Sequence, residues 1–172
     1  MTGRDLRQRI LQAFDGSPGQ RSVVELMLER GFAVNDEGRV VSGGIEIPYT
    51  QVADEAGVDR RVVDSTTETI LEDPELRRIF QSIESIPSLK NLAPVLGLSV
   101  LTIRVHDAAS TGVIHDITRV FSENDVSIRQ AVSDDPYFTD DPRFTVVTDR
   151  EVSGDLVEEI SSLDFVEDVE VS

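Results

Sequence analysis

From Ser99 onwards, the apolar residues of the chain alternate between two kinds of spacing. A spacing of two residues predicts a strand with one apolar face, whereas a spacing of three to four predicts an amphipathic helix. In chain order, these patterns predict strand, helix, strand, strand, helix and strand around residues 101–105, 113–121, 126–132, 144–148, 156–163 and 169–171. This βαββαβ order predicts a ferredoxin-like fold. Because the strands alternate apolar and polar residues, we expect helices on one face of the sheet only.

The first half of the chain has a different, mostly helical pattern. The predicted elements are amphipathic helices over residues 4–15 and 21–30, a Gly-containing β-hairpin over residues 35–47 and a later helix that Asp73 caps. Residues 87–98 contain two prolines and a glycine, which predicts a linker. We therefore expect an α+β chain in which a helical domain at residues 1–86 precedes the ferredoxin-like domain at residues 99–172.

Residues 49–71 have the spacing of a helix–turn–helix and read YTQVADEAGVDRRVVDSTTETIL. Ala53 is small enough for the two helices to meet there, and Gly57, four residues later, tolerates the positive φ of the turn. Asp59 is a good N-cap for the second helix. The residues expected to hold the two helices together are Val52, Ala56, Val58 and Val63.

In a helix–turn–helix, the first residues of the second helix reach base edges in the major groove of DNA. Arg60, Arg61 and Ser65 are predicted to face outward from this helix. Tyr49, Thr50 and Gln51 begin the first helix, where side chains and N–H groups position phosphates. These six residues are the candidate DNA contacts. The alternative is that the two arginines are ordinary surface groups paired with nearby aspartates.

The charge of the chain argues against strong phosphate attraction. There are 33 Asp and Glu against 16 Lys and Arg, a formal net charge of −17, and Lys90 is the one lysine. Residues 99–172 are the more acidic part, with 17 acidic and 5 basic side chains. An acidic, lysine-poor surface favours solubility in concentrated salt and predicts a salt-rich source, the alternative being an ordinary acidic protein. In such salt, phosphate attraction weakens and short-range base contacts matter more. We expect modest affinity that dimerisation improves.

Other classes of function lack support in the sequence. The absence of cysteine excludes disulfides and thiolate sites, and no stretch resembles a secretory signal or a membrane span, so a cytoplasmic protein is expected. The pairs His106-Asp107 and His115-Asp116 fall on polar faces without further metal ligands, and the acidic hairpin 134–144 lacks the spacing of a calcium loop. We therefore predict no enzyme activity, no metal and no cofactor.

The segment HDAASTGVIHDITRVF, residues 106–121, predicts a site for a carboxylate. Ser110 or Thr111 is expected to cap the helix, and Gly112 to allow a tight turn before it. The N–H groups at a helix N-terminus favour an anion. An amino acid would place its carboxylate there, while Asp107 or a backbone carbonyl takes its ammonium group. Gln130 is expected to line the same pocket, or alternatively to mark a β-bulge or an exposed edge contact.

This module resembles the ACT domain, a regulatory domain that commonly binds amino acids between paired subunits. Together with VADEAGVDRRVVD, it is similar to archaeal regulators of amino-acid metabolism that join a helix–turn–helix to an ACT domain, and the resemblance covers nearly the whole chain. The resemblance implies a homodimer or higher oligomer joined through the ACT sheets. The ligand-site residues are then Asp107, Gly112, Val113 and Ile114, with Thr111 and Gln130 beside them.

The chain departs from the ACT pattern at the loop and before the second strand. Thr111 stands where the family often has proline, and Asp125 and Ser127 stand where it often has glycine and asparagine. We therefore expect an amino-acid-responsive transcriptional regulator whose partners are a small amino acid and DNA, with no membrane. The alternative is an ACT regulatory or interaction module that acts on a metabolic enzyme without binding DNA.

Overall fold

The computed structural model of the protein describes residues 4–139 and 141–172. Residues 1–3 of the predicted helical domain and Asp140 of the acidic hairpin lie outside the described residues. The chain forms two compact units, of which the first ends at Pro87 and the second comprises Ser88–Ser172. The fold is α+β, with a mostly helical first unit and a ferredoxin-like second unit, as the sequence predicts. In the described part of the chain, no helix has the length and apolar character needed to span a membrane.

The first unit contains five helices and a small sheet among its described residues. These are α1 (Arg4–Gln12), α2 (Pro18–Arg30), β1 (Ala33–Val34), β2 (Val40–Ser42), β3 (Ile45–Glu46), α3 (Tyr49–Ala56), α4 (Arg60–Glu72) and α5 (Pro74–Gln81). Helix α2 begins three residues earlier than predicted, because proline suits the first position of a helix. The predicted hairpin is an antiparallel sheet with order β1-β2-β3.

The core of the first unit joins its helices to the small sheet. Its fully buried side chains include Ile10, Phe14, Val23, Met27, Val40, Val63, Ile70, Leu76 and Phe80. Asp73 caps α5 as predicted, since its carboxylate accepts hydrogen bonds from the N–H groups of Glu75 (2.8 Å) and Leu76 (3.1 Å). The N–H of Leu76, then that of Glu75, and the nearby Arg9 lower the pKa of Asp73. The α4–α5 corner is therefore held by an ionised aspartate.

The second unit is a four-stranded antiparallel sheet with two helices. Its elements are β4 (Val100–Val105), α6 (Val113–Glu123), β5 (Ile128–Ser133), β6 (Arg143–Thr148), α7 (Gly154–Ser161) and β7 (Val166–Val171). The strand order is β5-β6-β4-β7, which confirms the predicted βαββαβ topology. Both helices pack on one face of the sheet, where the core includes Leu101, Ile103, Ile117, Phe121, Val146, Leu156 and Ile160.

The opposite face of this sheet, called the outer face here, is partly covered by the chain itself. Residues 88–98, most of the predicted linker, belong to the second unit. They contain a short 3-10 turn, Pro94–Leu96, and Ala93 packs in a buried cluster with Val100 and Val147. Leu89 and Leu98 pack against the same cluster. We call residues 88–98 the cover segment.

A β-bulge changes the orientation of β5. The register between β5 and β6 shifts between Ile128 and Gln130. Ile128 packs in the core on the helix face. Beyond the bulge, Gln130 is paired with Val147 and Val132 with Thr145, so both side chains lie on the outer face. The predicted alternation of Val126, Ile128 and Val132 on one face therefore ends at the bulge.

Candidate functional site

The first unit contains the predicted helix–turn–helix. Helix α3 ends at Gly57, whose φ of +68° is the left-handed conformation expected there, and the N–H of Val58 bonds to the carbonyl of Ala53 at 2.9 Å. Asp59 caps α4 by accepting a hydrogen bond of 2.8 Å from the N–H of Arg61. Val52 and Val63 are buried between the elements. The turn and cap predicted for this motif are thus confirmed at these residues.

The exposed side of α4 carries more negative than positive side chains, since Glu72 is exposed as well. Arg60 and Arg61 in the first turn are exposed, as are Asp64 and Glu68. Within the described residues, neither arginine has a carboxylate at ion-pair distance, although aspartates stand beside them in sequence. The arginines therefore remain available to an external partner.

Arg39, which the sequence reasoning missed, lies close to the same surface. The guanidinium carbons of Arg39 and Arg60 are both 5.9 Å from the ring centroid of Tyr49, at the range of a cation–π contact. Arg39 follows the turn at Gly38 and directly precedes β2, so a basic residue at a hairpin turn before the motif is the sequence signal for it. We call Arg39, Arg60 and Arg61 the arginine cluster.

Two of the predicted DNA contacts are instead structural. Tyr49 is only 8% exposed, and its hydroxyl donates to the carbonyl of Gly38 and is hydrogen-bonded to Thr67 Oγ1 at 2.8 Å. The Ser65 hydroxyl accepts a hydrogen bond of 3.2 Å from Gln20 and donates to the Val62 carbonyl at 3.0 Å. Both hydroxyl groups therefore have partners within the unit, that of Tyr49 on a buried side chain and that of Ser65 on a half-buried one.

Thr50 and Gln51 differ from Tyr49 in their position on α3. Both are exposed in the first turn of the helix. A helix buries one face, and here Tyr49, Val52 and Ala53 are on that face. Thr50 and Gln51 therefore keep the exposure that a phosphate contact requires.

In the second unit, the loop from β4 to α6 is organised around Asp107. Its carboxylate accepts hydrogen bonds from the N–H of Ala109 (3.0 Å) and the hydroxyl of Ser110 (2.7 Å). Gly112 is the N-cap of α6, with φ of +90°, and within the described residues no side chain caps this helix. The expectation that Ser110 or Thr111 would cap it is wrong, because Ser110 bonds Asp107 and Gly112 takes the cap position.

The candidate ligand residues at the start of α6 differ in the exposure of their side chains. The side chain of Val113 is buried in the core, whereas Thr111 and Ile114 are exposed. A cavity lined by Val105, Val113, Ile114 and Phe144, among others, has a volume of about 20 Å³. This is far smaller than the roughly 300–1,000 Å³ of a typical small-molecule pocket. In a single copy of the chain, this cavity has no room for an amino acid.

Gln130 does not join the other ligand candidates. The bulge directs it to the outer face, where its Oε1 accepts a hydrogen bond of 2.7 Å from the N–H of Leu89 in the cover segment. The expectation that it lines the pocket is therefore corrected, and the β-bulge alternative describes it. Its physical role is to attach the cover segment to β5.

In the acidic turn between β5 and β6, an aspartate is paired with an arginine at the start of β6. Arg143 bonds Asp141 through Nη2 at 2.7 Å and Nε at 3.0 Å. This contact lowers the pKa of Asp141 and raises that of Arg143. Among the described residues, no three His, Asp or Glu side chains are grouped so that they would hold a metal ion.

Comparison with known proteins gives only remote similarities. No protein-family model and no curated protein sequence matches the chain. Similar solved structures include a homoserine dehydrogenase from Thiobacillus denitrificans (20% identity, TM-score 0.33), which covers 70% of the present chain. The chain spans only 26% of that dehydrogenase.

Two further solved structures are similar over most of their own length. One is PH0061, with 11% identity and a TM-score of 0.29, matched over 90% of this chain and 89% of that one. The other is an AsnC family transcriptional regulator from Agrobacterium tumefaciens, with 12% identity and a TM-score of 0.29, over 91% and 88%. Likenesses of this strength carry no argument about activity, which has to rest on the residues.

Proposed function

We propose that this chain is an amino-acid-responsive transcriptional regulator that binds DNA through α4 and an effector through the second unit. The observation that carries the proposal is the arginine cluster. Arg60 and Arg61 are exposed in the first turn of the second helix of a helix–turn–helix, and within the described residues no carboxylate neutralises them. This is the position from which such motifs contact base edges.

The arginine cluster suits recognition by contact rather than by long-range attraction. An arginine can bond the O6 and N7 atoms of guanine together, or a phosphate oxygen. The guanidinium groups of Arg39 and Arg60 both lie at cation–π distance from the ring of Tyr49. Thr50 and Gln51 would bond phosphates from the start of α3. We therefore propose Arg60 and Arg61 as base contacts and Arg39 as a supporting phosphate contact.

For the effector, we propose the N-terminus of α6 as the carboxylate site. Gly112 is the N-cap of α6 and has no side chain to bond the N–H groups of Val113 and Ile114 that follow it. Asp107 and Thr111 lie in the loop before this helix. Because the neighbouring cavity is far smaller than a typical small-molecule pocket, an amino acid requires either movement of the loop or surface from a second copy. The effector would alter DNA affinity only as far as it favours one dimer geometry over another.

One observation favours a second candidate function. Asp64 and Glu68 share the exposed face of α4 with the two arginines, so this face has no net positive charge. A surface of mixed charge suits a protein partner better than a phosphate backbone. In this alternative, the chain is an ACT regulatory module that docks on a metabolic enzyme.

Selection from a random duplex library in potassium chloride distinguishes these two functions. Enrichment of a common motif by the wild-type chain supports the regulator, and its loss in the double variant Arg60→Ala, Arg61→Ala assigns the recognition to α4. The control is Arg77→Ala, Arg78→Ala, which removes the same charge from exposed positions of α5. Failure to enrich any motif, even at low salt, would overturn the regulator in favour of the docking module.

The effector requires a separate measurement. A thermal-shift screen of the twenty amino acids in molar potassium chloride detects binding, because a ligand that binds the native state raises its melting temperature. One clear hit that is lost in Gly112→Asp supports the α6 site, since the new carboxylate would occupy the anion position. The absence of any hit at millimolar ligand would refute the effector part of the proposal.

A further inference from the structure

The first unit contains a cleft that is lined by α2, α3 and residues at the ends of the hairpin, and we call it the α2–α3 cleft. Its volume is about 280 Å³. Typical small-molecule pockets have roughly 300–1,000 Å³, and an engineered cavity of about 150 Å³ in another protein binds benzene. The cleft therefore has room for a ligand with a single ring or a branched chain, whereas the cavity of about 20 Å³ beside α6 does not.

The walls of the α2–α3 cleft are largely apolar. Leu26 of α2 and Val52 of α3 are buried, and Phe32 and Ile47 beside the small sheet are half-buried. Phe32 and Ile47 thus keep apolar surface that the unit itself leaves uncovered. Removing such surface from water is favourable, so the cleft favours a ligand with an apolar body.

The polar lining of the cleft consists of one cation, one anion and one amide. Arg30 of α2 and Glu55 of α3 form an ion pair in which Nη2 lies 2.7 Å from Oε1, and Gln51 precedes Glu55 by one helical turn. In the described part of the chain, this pair uses only those two side-chain atoms, and the amide of Gln51 has no hydrogen bond. The other guanidinium N–H groups, the second carboxylate oxygen and the amide remain available to a ligand.

We propose that the α2–α3 cleft binds a free amino acid with an apolar side chain. The carboxylate of the ligand bonds Arg30, and its ammonium group bonds Glu55. The apolar side chain covers Phe32 and Ile47. A ligand with a single charge would be repelled by one member of the ion pair, whereas a zwitterion matches both. A polar side chain would lie against the apolar walls without hydrogen-bond partners.

This site lies entirely within the first unit and is separate from the carboxylate site proposed at α6. Its effect on DNA rests on the proposed function, in which Gln51 is a phosphate contact. A ligand that bonds the amide of Gln51 competes with a phosphate for it. The amino acid should therefore weaken DNA binding, and by linkage DNA should weaken binding of the amino acid by the same factor.

Calorimetric titration of the whole chain in molar potassium chloride tests the chemistry of the ligand. We expect phenylalanine or leucine to bind. Glycine lacks the apolar body, and phenylalaninamide and 3-phenylpropanoate each lack one of the two charges. Each of these three compounds should bind more weakly by about tenfold or more, because an apolar contact or a hydrogen bond to a charged group is lost. Equal binding of 3-phenylpropanoate and phenylalanine would overturn the zwitterion.

The site variants are Arg30→Gln and Glu55→Gln, and each should weaken binding by about tenfold or more. Their melting curves should change little, because exposed ion pairs contribute little to stability. Arg21→Gln is the matched control, since Arg21 is also on α2 and also pairs with a glutamate, Glu25 at 3.0 Å, but does not line the cleft. A folded Arg30→Gln variant that binds phenylalanine or leucine as tightly as the wild type overturns the proposal.

The variant Gly112→Asp decides between this cleft and the α6 site. Binding that persists in Gly112→Asp and is lost in Arg30→Gln supports the cleft. The reverse pattern overturns the cleft and supports the α6 site. A chain that binds neither phenylalanine nor leucine but enriches a duplex motif would refute the cleft and leave DNA recognition standing.

Discussion

The substitution Tyr49→Phe separates a structural role for Tyr49 from a role in DNA contact. In the folded chain, the hydroxyl donates to the carbonyl of Gly38, a buried residue, and bonds Thr67 Oγ1 at 2.8 Å. Phenylalanine keeps the ring, and with it the contacts to Arg39 and Arg60. The substitution therefore removes two buried hydrogen bonds without changing the apolar packing.

The expected loss of unfolding free energy follows from the carbonyl that is left without a donor. An unsatisfied buried polar group costs about 1–3 kcal/mol. For a unit of this size, each kcal/mol lowers the melting temperature by roughly 4–8 °C. Urea titration followed by circular dichroism measures the first quantity and a thermal scan the second. DNA affinity measured well below the melting temperature should equal that of the wild type.

Thr50→Ala provides the comparison, because Thr50 is adjacent but exposed. Its stability should change by less than about 0.5 kcal/mol, as is usual for surface positions. Its DNA affinity should fall, since a phosphate contact is lost. Wild-type stability of Tyr49→Phe combined with weakened DNA binding would refute the reasoning, because the hydroxyl would then contact DNA rather than the carbonyl of Gly38.

Three further predictions concern α4, α6 and α5. In Arg60→Ala, Arg61→Ala, electrophoretic mobility shifts should show no preference between specific and random duplexes, because both proposed base contacts are lost. Gly112→Ala should lower the unfolding free energy by about 1–3 kcal/mol because its φ is +90°, whereas Gly154→Ala, equally open but without positive φ, should be neutral or stabilising. Because hydrogen bonds from α5 N–H groups lower the pKa of Asp73, its stabilising effect should be complete above pH 3.8 and lost as the pH falls below that value. Acid titration of wild type and Asp73→Asn should therefore converge at low pH.

The sequence predicted those features that depend on neighbouring residues. The order of strands and helices along the second unit follows from apolar spacing. Gly57 and Asp59 have the predicted turn and cap positions because turns and caps depend on local sequence. The helical pattern predicts Ser65 on the exposed side of α4. It does not reveal that the hydroxyl of this half-buried residue accepts a hydrogen bond from Gln20, which is distant in sequence. Tertiary contacts of this kind leave no periodic signal.

The same limitation explains the errors at Tyr49 and Gln130. An aromatic residue at the start of a helix is compatible with either burial or exposure until the hairpin carbonyl that accepts its hydrogen bond is known. The β-bulge that reverses Gln130 adds one residue to β5, and an added residue shifts every later side chain to the opposite face. Arg39 lies near Tyr49 and Arg60 only once the hairpin is folded.

The arrangement of charge makes salt dependence the most informative property of DNA binding by this chain. At low salt, charges act over about 10 Å or more. Asp64, Glu68 and the net charge of −17 then repel the duplex, while the arginine cluster attracts it. In molar salt, the screening length falls to about 3 Å, and only groups in direct contact with DNA contribute. Distant repulsion is then removed while base contacts by Arg60 and Arg61 persist. We therefore expect affinity for a selected motif to fall far less with added potassium chloride than for a basic protein, in which phosphate neutralisation dominates. Titrations between tenth-molar and molar salt measure this, and the steep loss typical of basic proteins would show that the acidic residues do not oppose binding.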